Sequence, residues 1–391
     1  MSKQFDRGLV IREELVILQP MSYKGLYSNW IEVDLGAIEN NIQRIKEITN
    51  VKVMAVVKAN AYGHGTVPVA RAAEQAGASW IGVARIEEAL ELRSGGIDTP
   101  ILILGFTPPA GIDPAINQDI ALTIWDEHQV IQTSAAAKRL GKTARVHLKV
   151  DTGMSRLGVQ LEGALMVAVT IQKTPGLELE GVFTHFARAD EVDQAPTKRQ
   201  EEQFIKVLDA LRSAGITPPL VHAANSAASL ARPSARFNLV RTGIALYGLN
   251  PFSDGHLPDG FRPALSWKTQ LSQVKILPPG RGVSYGHEYV TRDFERIGTI
   301  PIGYADGYRR TKGNQVLVCG KRAPVVGRVC MDQVSVLLDG VPEAREGDEV
   351  VIIGAQGGEQ ITAEEIGRTW GTINYEVLCG IGARVPRVYG S

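Results

Sequence analysis

Cysteine is scarce in this chain. Only Cys319, Cys330 and Cys379 occur in 391 residues, an odd number with no CxxC spacing. That excludes a disulfide framework or a zinc ribbon and fits a reducing compartment. No stretch approaches the roughly 18 consecutive apolar residues of a membrane span. Met1 to Pro20 carries Lys3, Asp6, Arg7, Arg12, Glu13 and Glu14 without the apolar core of a signal peptide. Neither sign of charge is in excess, since 42 Lys+Arg balance 42 Asp+Glu. No basic run stands out, which argues against a nucleic-acid partner. There is no GxGxxG fingerprint and no low-complexity tract. A soluble cytoplasmic protein remains as the expectation.

What is present is ordinary globular material: 44% hydrophobic and 21% charged residues, in a chain long enough for a large barrel plus a smaller unit. From Lys52 to about Leu249, eight apolar runs alternate with amphipathic stretches. The runs are 53–57, 81–84, 101–104, 121–125, 146–150, 181–185, 220–224 and 239–246. Phe204, Val207, Leu208 and Leu211 recur at helical spacing, as do Ile38, Ile42, Ile45 and Ile48. Eight β-α units predict a (β/α)8 barrel over a doubly wound sheet, though periodicity alone separates the two only modestly.

Near Asn250 the texture changes. Residues 251–260 are dense in Pro, Gly and Asp and read as a linker. Short strand signals follow at 265–274, 296–302, 315–319, 323–329, 333–337 and 349–353, with one helix at 363–370 capped by Thr362 and with Glu365 at the capping-box position. The expected division is an N-terminal extension at 1–27, a barrel at 28–250 and a mainly β domain at 251–391.

The segment Ala55 to Gly65 (AVVKANAYGHG) is the most informative part. Lys58 sits where a buried strand ends and a Gly-containing turn begins. Low-dielectric surroundings there favour the neutral amine, the form that makes a Schiff base with an aldehyde. A lysine that merely snorkels to solvent would have the same spacing. In a barrel, functional groups collect at the C-terminal ends of strands. The strand ends supply Lys58, Arg156, His185, Asn225 with Ser226, and Arg241. This polar, cation-rich set suits an anionic ligand such as a phosphorylated cofactor.

These motifs, with WIEVDL (30–35), KVDTGMSRLG (149–158), THFA (184–187), HAANSA (222–227), VRTGIALYG (240–248), VSYGHEY (283–289), PIGYADGY (301–308), GRVCMD (327–332) and INYE (373–376), run in order from about Ser28 to Tyr389. The chain thereby resembles the alanine racemases, enzymes dependent on pyridoxal 5′-phosphate (PLP) that supply D-alanine for peptidoglycan. The resemblance implies the following roles. Lys58 holds PLP and acts as one acid-base group. Tyr285, reaching the site of the other subunit of a homodimer, is the second, with His185 as its partner. Arg241 faces the pyridine nitrogen. Arg156 donates to the phenolic oxygen and to substrate. Lys149 matches a position that is often carbamylated, which would steady Arg156; Asp151 is an alternative partner. Tyr62, Asn225, Ser226, Gly243, Ile244 and Tyr375 belong to the cofactor site, most of them at its phosphate. Met331, Asp332 and Tyr304 lie on the substrate side, and Tyr304 with Tyr375 narrows the entrance. No metal is implied.

A phenol has a pKa of about 10, so Tyr285 needs help to give up its proton at neutral pH. Arginine keeps its proton, so opposite Arg241 the ring nitrogen acts as an acceptor and the cofactor is a weaker electron sink. Three other readings stand beside this one: a serine or broad-specificity racemase, an amino-acid decarboxylase on the same barrel, and a non-catalytic PLP carrier. Arg241 argues against the second, and the β domain with Tyr285 and Met331 argues against the third.

Overall fold

The computed structural model describes residues 26–390. The predicted extension at 1–27 therefore lies almost wholly outside the described residues. Strand β1 (Asn29–Asp34) leads into a helix, Leu35–Thr49, started by the Asp34 carboxylate accepting from Ala37 N. Ile38, Ile42 and Ile45 of this helix are fully buried. Eight strands follow: β2 (Lys52–Val56), β3 (Trp80–Val83), β4 (Ile101–Ile103), β5 (Ile120–Ile124), β6 (Ala144–Lys149), β7 (Leu177–Phe183), β8 (Leu220–His222) and β9 (Leu239–Thr242). They pair in parallel in the order β8-β7-β6-β5-β4-β3-β2-β9. Asn238 N to Val221 O (3.4 Å) and Arg241 N to Ala224 O (3.0 Å) join the two ends of this row. The result is the predicted barrel. Strands β3 and β5 are buried along their whole length, as expected for parallel strands covered by helices. Met54, Trp80, Leu102, Ala121, Leu220 and Leu239 fill the barrel interior with apolar side chains. Most stand at or near the starts of their strands, so the opposite end is left to polar groups.

The second sheet has ten strands among the described residues. Its path runs Gln273–Leu277, Glu295–Ile300, Val334–Leu337, Lys321–Val326, Gln315–Val318, Glu349–Gln356, Leu265–Gln270, β1 and Arg387–Gly390, with Glu359–Ile361 paired to Glu349–Gln356. β1 thus belongs to this sheet, antiparallel to Leu265–Gln270 and parallel to Arg387–Gly390. The expectation that residues from 28 onward build the barrel is corrected here. Six alternating residues show a strand, but only long-range pairing shows which sheet takes it.

The strand expected at 265–274 is two strands, broken at Leu271 and Ser272. The helix Ala363–Trp370 starts as expected, with Thr362 Oγ1 accepting from Glu365 N at 3.1 Å. A further short helix, Asn374–Cys379, went unforeseen. It packs against the turn after Lys58 so closely that a Cβ on Gly63 would lie 2.4 Å from Leu378 O. No helix among the described residues is long and apolar enough to cross a membrane.

Candidate active site

Lys58 begins a turn of unusual hand. Ala59, Asn60, Ala61 and Tyr62 all have φ between 51° and 54°, and Gly63 has φ 87°. Left-handed backbone costs a non-glycine residue roughly 1–2 kcal/mol, so such a run persists only when its surroundings hold it. Several contacts do so. Ala61 N donates to Val57 O (2.9 Å) and Gly65 N to Asn60 O (2.9 Å). Asn60 Oδ1 accepts from Thr66 N at 3.1 Å. The Glu88 carboxylate accepts from Ala59 N (2.7 Å) with one oxygen and from Ala84 N (2.7 Å) and Arg85 N (3.1 Å) with the other. Glu88 therefore ties the turn to the end of β3. Sequence reasoning missed it, although a glutamate three residues into a helix is the signal of a capping box.

Lys58 opens into a cavity of about 430 Å3 at the C-terminal ends of the strands. Lys149, Arg156, His185, Asn225, Ser226, Arg241, Gly243, Ile244, Tyr62 and Tyr375 line it too, so every residue expected at the cofactor is brought together. Burial, then the charge of Arg156, lowers the Lys58 pKa. Lys149 is 6% exposed, with Nζ 4.9 Å from the Phe183 ring centre. Burial first, then Arg241, Arg156 and Lys58, push it down to about 7. No ion pair joins Lys149 or Arg156 to a carboxylate among the described residues. Asp151, the alternative partner for Arg156, instead accepts from Gly153 N and Ser155 N, both at 3.0 Å, and shapes the turn.

Arg241 is 4% exposed and has no carboxylate partner either. Its Nη2 donates to Thr184 O (2.7 Å), Ala223 O (2.9 Å) and His185 Nδ1 (3.1 Å), and its Nη1 to His222 Nδ1 (3.0 Å). Burial brings its pKa down to about 9, which leaves the guanidinium charged at neutral pH. Nε–H and one Nη1–H keep no acceptor among the described residues, and the side chain lines the cavity.

At the opposite end the donors are hydroxyls and amides. Ser226 Oγ accepts from Gly243 N (3.0 Å) and Ala245 N (3.3 Å), leaving its own proton to give. A Cβ on Gly243 would stand 2.3 Å from Tyr62 Oη, so only glycine lets the phenol and that amide converge. Tyr375 adds a third hydroxyl, its ring 6.1 Å from that of Tyr62. Asn225 spends its carboxamide oxygen as a helix cap, accepting from Ala228 N at 3.0 Å. The arrangement fits PLP: an amine, a donor set for a dianion, and a buried cation with free N–H groups.

Four expected residues are not at this cavity. Tyr285 is 71% exposed, Tyr304 48% and Met331 53%, and Asp332 is exposed and paired with Arg384 at 2.7 Å. Tyr285 is presented on a constrained loop. Ser284 (φ 62°), Gly286 (φ 73°) and His287 (φ 46°) flank it, and Ser284 Oγ donates to Arg328 O at 2.6 Å. Tyr304 N donates to Cys330 O and Ala305 N to Met331 O, both at 3.1 Å, so these two segments are tied together. Tyr304 lines a second cavity of about 460 Å3, which meets the first at Cys379.

Comparisons with known proteins agree along the whole described chain. Residues 33–251 match the family described as alanine racemase, N-terminal domain, and residues 264–389 match alanine racemase, C-terminal domain. An alanine racemase of Symbiobacterium thermophilum is 46% identical over 373 residues, covering 95% of this chain and 99% of that one. One from Desulfovibrio desulfuricans is also 46% identical, covering 92% and 97%. Among solved structures, alanine racemase from Clostridium difficile 630 superposes with a TM-score of 0.89 at 41% identity, covering 93% of this chain and 96% of that one. The Bacillus anthracis alanine racemase with bound L-Ala-P does so with a TM-score of 0.88 at 44% identity, covering 93% and 95%. A barrel whose strand ends gather a lysine, a buried arginine and a hydroxyl cradle, followed by a β domain with an outward-facing tyrosine, is thus accompanied by family matches over both parts: the chain belongs to the alanine racemase family.

Proposed function

We propose that this protein interconverts L- and D-alanine with PLP, as a cytoplasmic homodimer whose two sites are each built from both chains, providing D-alanine for the cell wall. The observation that carries the reading is the setting of Arg241, a permanent cation with free N–H groups at the cavity wall and no acidic residue beside it. An arginine there keeps the pyridine nitrogen unprotonated, whereas an acidic partner would serve a decarboxylase. Bound PLP supplies the electron sink for the pair released at the substrate α-carbon.

The chain's residues then divide the remaining work. Lys58, with its lowered pKa, offers a neutral Nζ that binds the cofactor and afterwards holds a proton on one face of the substrate. Tyr62, Ser226, Tyr375 and the amides of Gly243 and Ile244 hold the phosphate. Arg156 orients the phenolic oxygen and the substrate carboxylate.

A racemase needs a second proton-bearing group on the opposite face, and Tyr285 is outside the chain's own cavity. Its exposure on a constrained loop supports delivery into a neighbouring subunit, where His185 Nε2–H is the donor that makes its phenol easier to ionise. Met331 N–H meets no backbone acceptor among the described residues and is available to a carboxylate from that side.

Lys149, whose pKa of about 7 leaves a large neutral fraction at neutral pH, is surrounded by cations and is suited to attack CO2 and lose a proton, giving a carbamate anion that would pair with Arg156. Tyr304 and Tyr375 at the mouth favour a methyl side chain. Proton NMR in D2O with PLP and a panel of L-amino acids tests the reading. Loss of the α-proton signal with D-alanine as product, and little exchange with serine or larger residues, is expected. Comparable exchange of many amino acids would replace it with a broad-specificity racemase, and no exchange despite bound PLP would leave a cofactor carrier.

A further inference from the structure

A chain of side chains leads from the back of Arg241 through the barrel to its far end. Arg241 Nη1 donates to His222 Nδ1 at 3.0 Å. His222 Nε2 lies 3.0 Å from His147 Nδ1. His147 Nε2 lies 3.5 Å from Glu180 Oε2, and the other carboxylate oxygen accepts from Arg145 at 3.1 Å. Both imidazoles are fully buried.

The direction of every link follows from the first. Arginine can only donate, so His222 Nδ1 must be the acceptor and its proton sits on Nε2. His147 Nδ1 must then accept, which places its proton on Nε2, facing the carboxylate. That nitrogen makes no hydrogen bond among the described residues, and the Glu180 carboxylate 3.5 Å away is the group it faces.

The backbone is shaped around this chain. The pairing of β6 with β7 slips at Val146 and His147, whose partners are Leu179 and Gly181, so Glu180 is the extra residue of a bulge. Bulges re-aim side chains. Gly181 makes the space, since a Cβ there would lie 2.4 Å from His147 Nδ1. Phe183 stacks on His222 with ring centres 4.7 Å apart and 6° between planes, and Trp80 packs edge-on against His147 at 5.2 Å. The charges facing the chain are Arg241 and Arg145 at its ends and Lys149 across the Phe183 ring.

We propose that His222, His147 and Glu180 are positioning residues for Arg241: two hydrogen-bonded imidazoles of fixed tautomer set the orientation of the guanidinium, and the carboxylate 3.5 Å beyond the second ring balances its charge from the far side of the barrel. This rests on the reading of Arg241 as the partner of the pyridine nitrogen. It explains how Arg241 stays oriented and charged without an acidic neighbour, which would compete with the cofactor for its free N–H groups. The carboxylate acts at a distance, through two neutral rings of fixed tautomer.

Nitrogen-15 NMR of the histidines in the unmodified, PLP-free protein tests the chain without reference to catalysis. Protons on Nε2 of both His147 and His222 are expected, and a proton on Nδ1 of either would overturn the proposal. Two variants then test the effect on the site. Glu180→Gln keeps a polar oxygen facing His147 without the charge, and Glu180→Leu removes both. The leucine variant is expected to lower kcat by roughly tenfold or more with KM for alanine little changed, as for loss of an outer support of an active-site group. It should also displace the visible absorbance of bound PLP, with partial recovery of both in the glutamine variant. Unchanged kcat and absorbance in a folded leucine variant would sink the positioning role. If that variant does not fold, the tautomers in the unmodified protein still decide. If the unmodified protein fails to racemise alanine, the functional reading falls while the tautomers continue to test the chain itself.

Discussion

Arg241 Nη2 donates to His185 Nδ1 at 3.1 Å, and this contact restricts what His185 can do. The acceptor nitrogen is occupied, burial and the charge of Arg241 lower the pKa further, and the ring stays neutral with its proton on Nε2. His185 is thus left with one N–H to donate and no site for a second proton. A tyrosine arriving from the partner subunit would find one directed donor.

Tyr285→Phe is expected to keep bound PLP, because Tyr285 is not among the residues lining the cofactor cavity. Proton exchange should fall by about 10²–10⁴-fold from one enantiomer, the usual worth of a positioned acid-base group, and much less from the other. Solvent deuterium exchange measured separately on L- and D-alanine reads this directly. Equal, mild losses in both directions would count against two bases.

Lys58→Ala should abolish the absorbance of lysine-bound PLP and racemisation together. Retention of both would remove Lys58 from its assigned role. Mixing inactive Lys58→Ala and Tyr285→Phe proteins should restore up to about half of the sites in each hybrid dimer if the sites are shared. No recovery after demonstrated subunit exchange would show that each chain is self-sufficient.

Lys149 carries a pH signature. Its folded pKa of about 7 lies below the ordinary 10.5. Between those values the unfolded chain holds a proton that the folded chain lacks, so stability rises with pH across that window. Below it the full cost, on the order of 5 kcal/mol, is present. Lys149→Met should flatten the rise and stabilise the PLP-free protein most on the acid side, as read from urea midpoints across that window. Adding ¹³C-bicarbonate should give a carbamate carbon signal in the unmodified protein and none in the variant. Matching urea profiles would mean that Lys149 is already charged or carbamylated without added CO2.

Glu88→Ala removes the acceptor for Ala59 N, Ala84 N and Arg85 N at once. A destabilisation of about 1–3 kcal/mol is expected from amides left without partners. Slower exchange at the Lys58 turn in the parent than in the variant, and weaker PLP retention in the variant, would locate the damage there. A variant that loses stability but binds PLP as tightly as the parent would limit Glu88 to a fold role.

Much of this was legible in the sequence for identifiable reasons. Barrel strands buried on both faces read as apolar runs, so all eight were found. Thr362 and Glu365 marked their helix because capping is local. The Asn374–Cys379 helix was hidden, since six residues give too little periodicity to see. His147 and Glu180 were missed because they sit inside β6 and β7, where a bulge that no local pattern announces turns them toward each other. Glu88 drew no notice because its partners are the amides just past two strands, one of them, Ala59 N, remote from any local pattern. Long-range pairing likewise decided where Asn29–Asp34 belongs.

That last strand constrains how the protein is made. β1 is synthesised before the barrel, yet its neighbours on either side, Leu265–Gln270 and Arg387–Gly390, are synthesised after it. Trp30, Ile31 and Val33, all buried in the finished molecule, must wait on the nascent chain while the barrel takes shape behind them. The sheet of the β domain can close around β1 only once Arg387–Gly390 has been made, so the barrel is inserted between two strands of one sheet. Loss of Asn29–Asp34 or of Arg387–Gly390 opens the same sheet, and the aggregation hazard of synthesis is concentrated in one waiting strand.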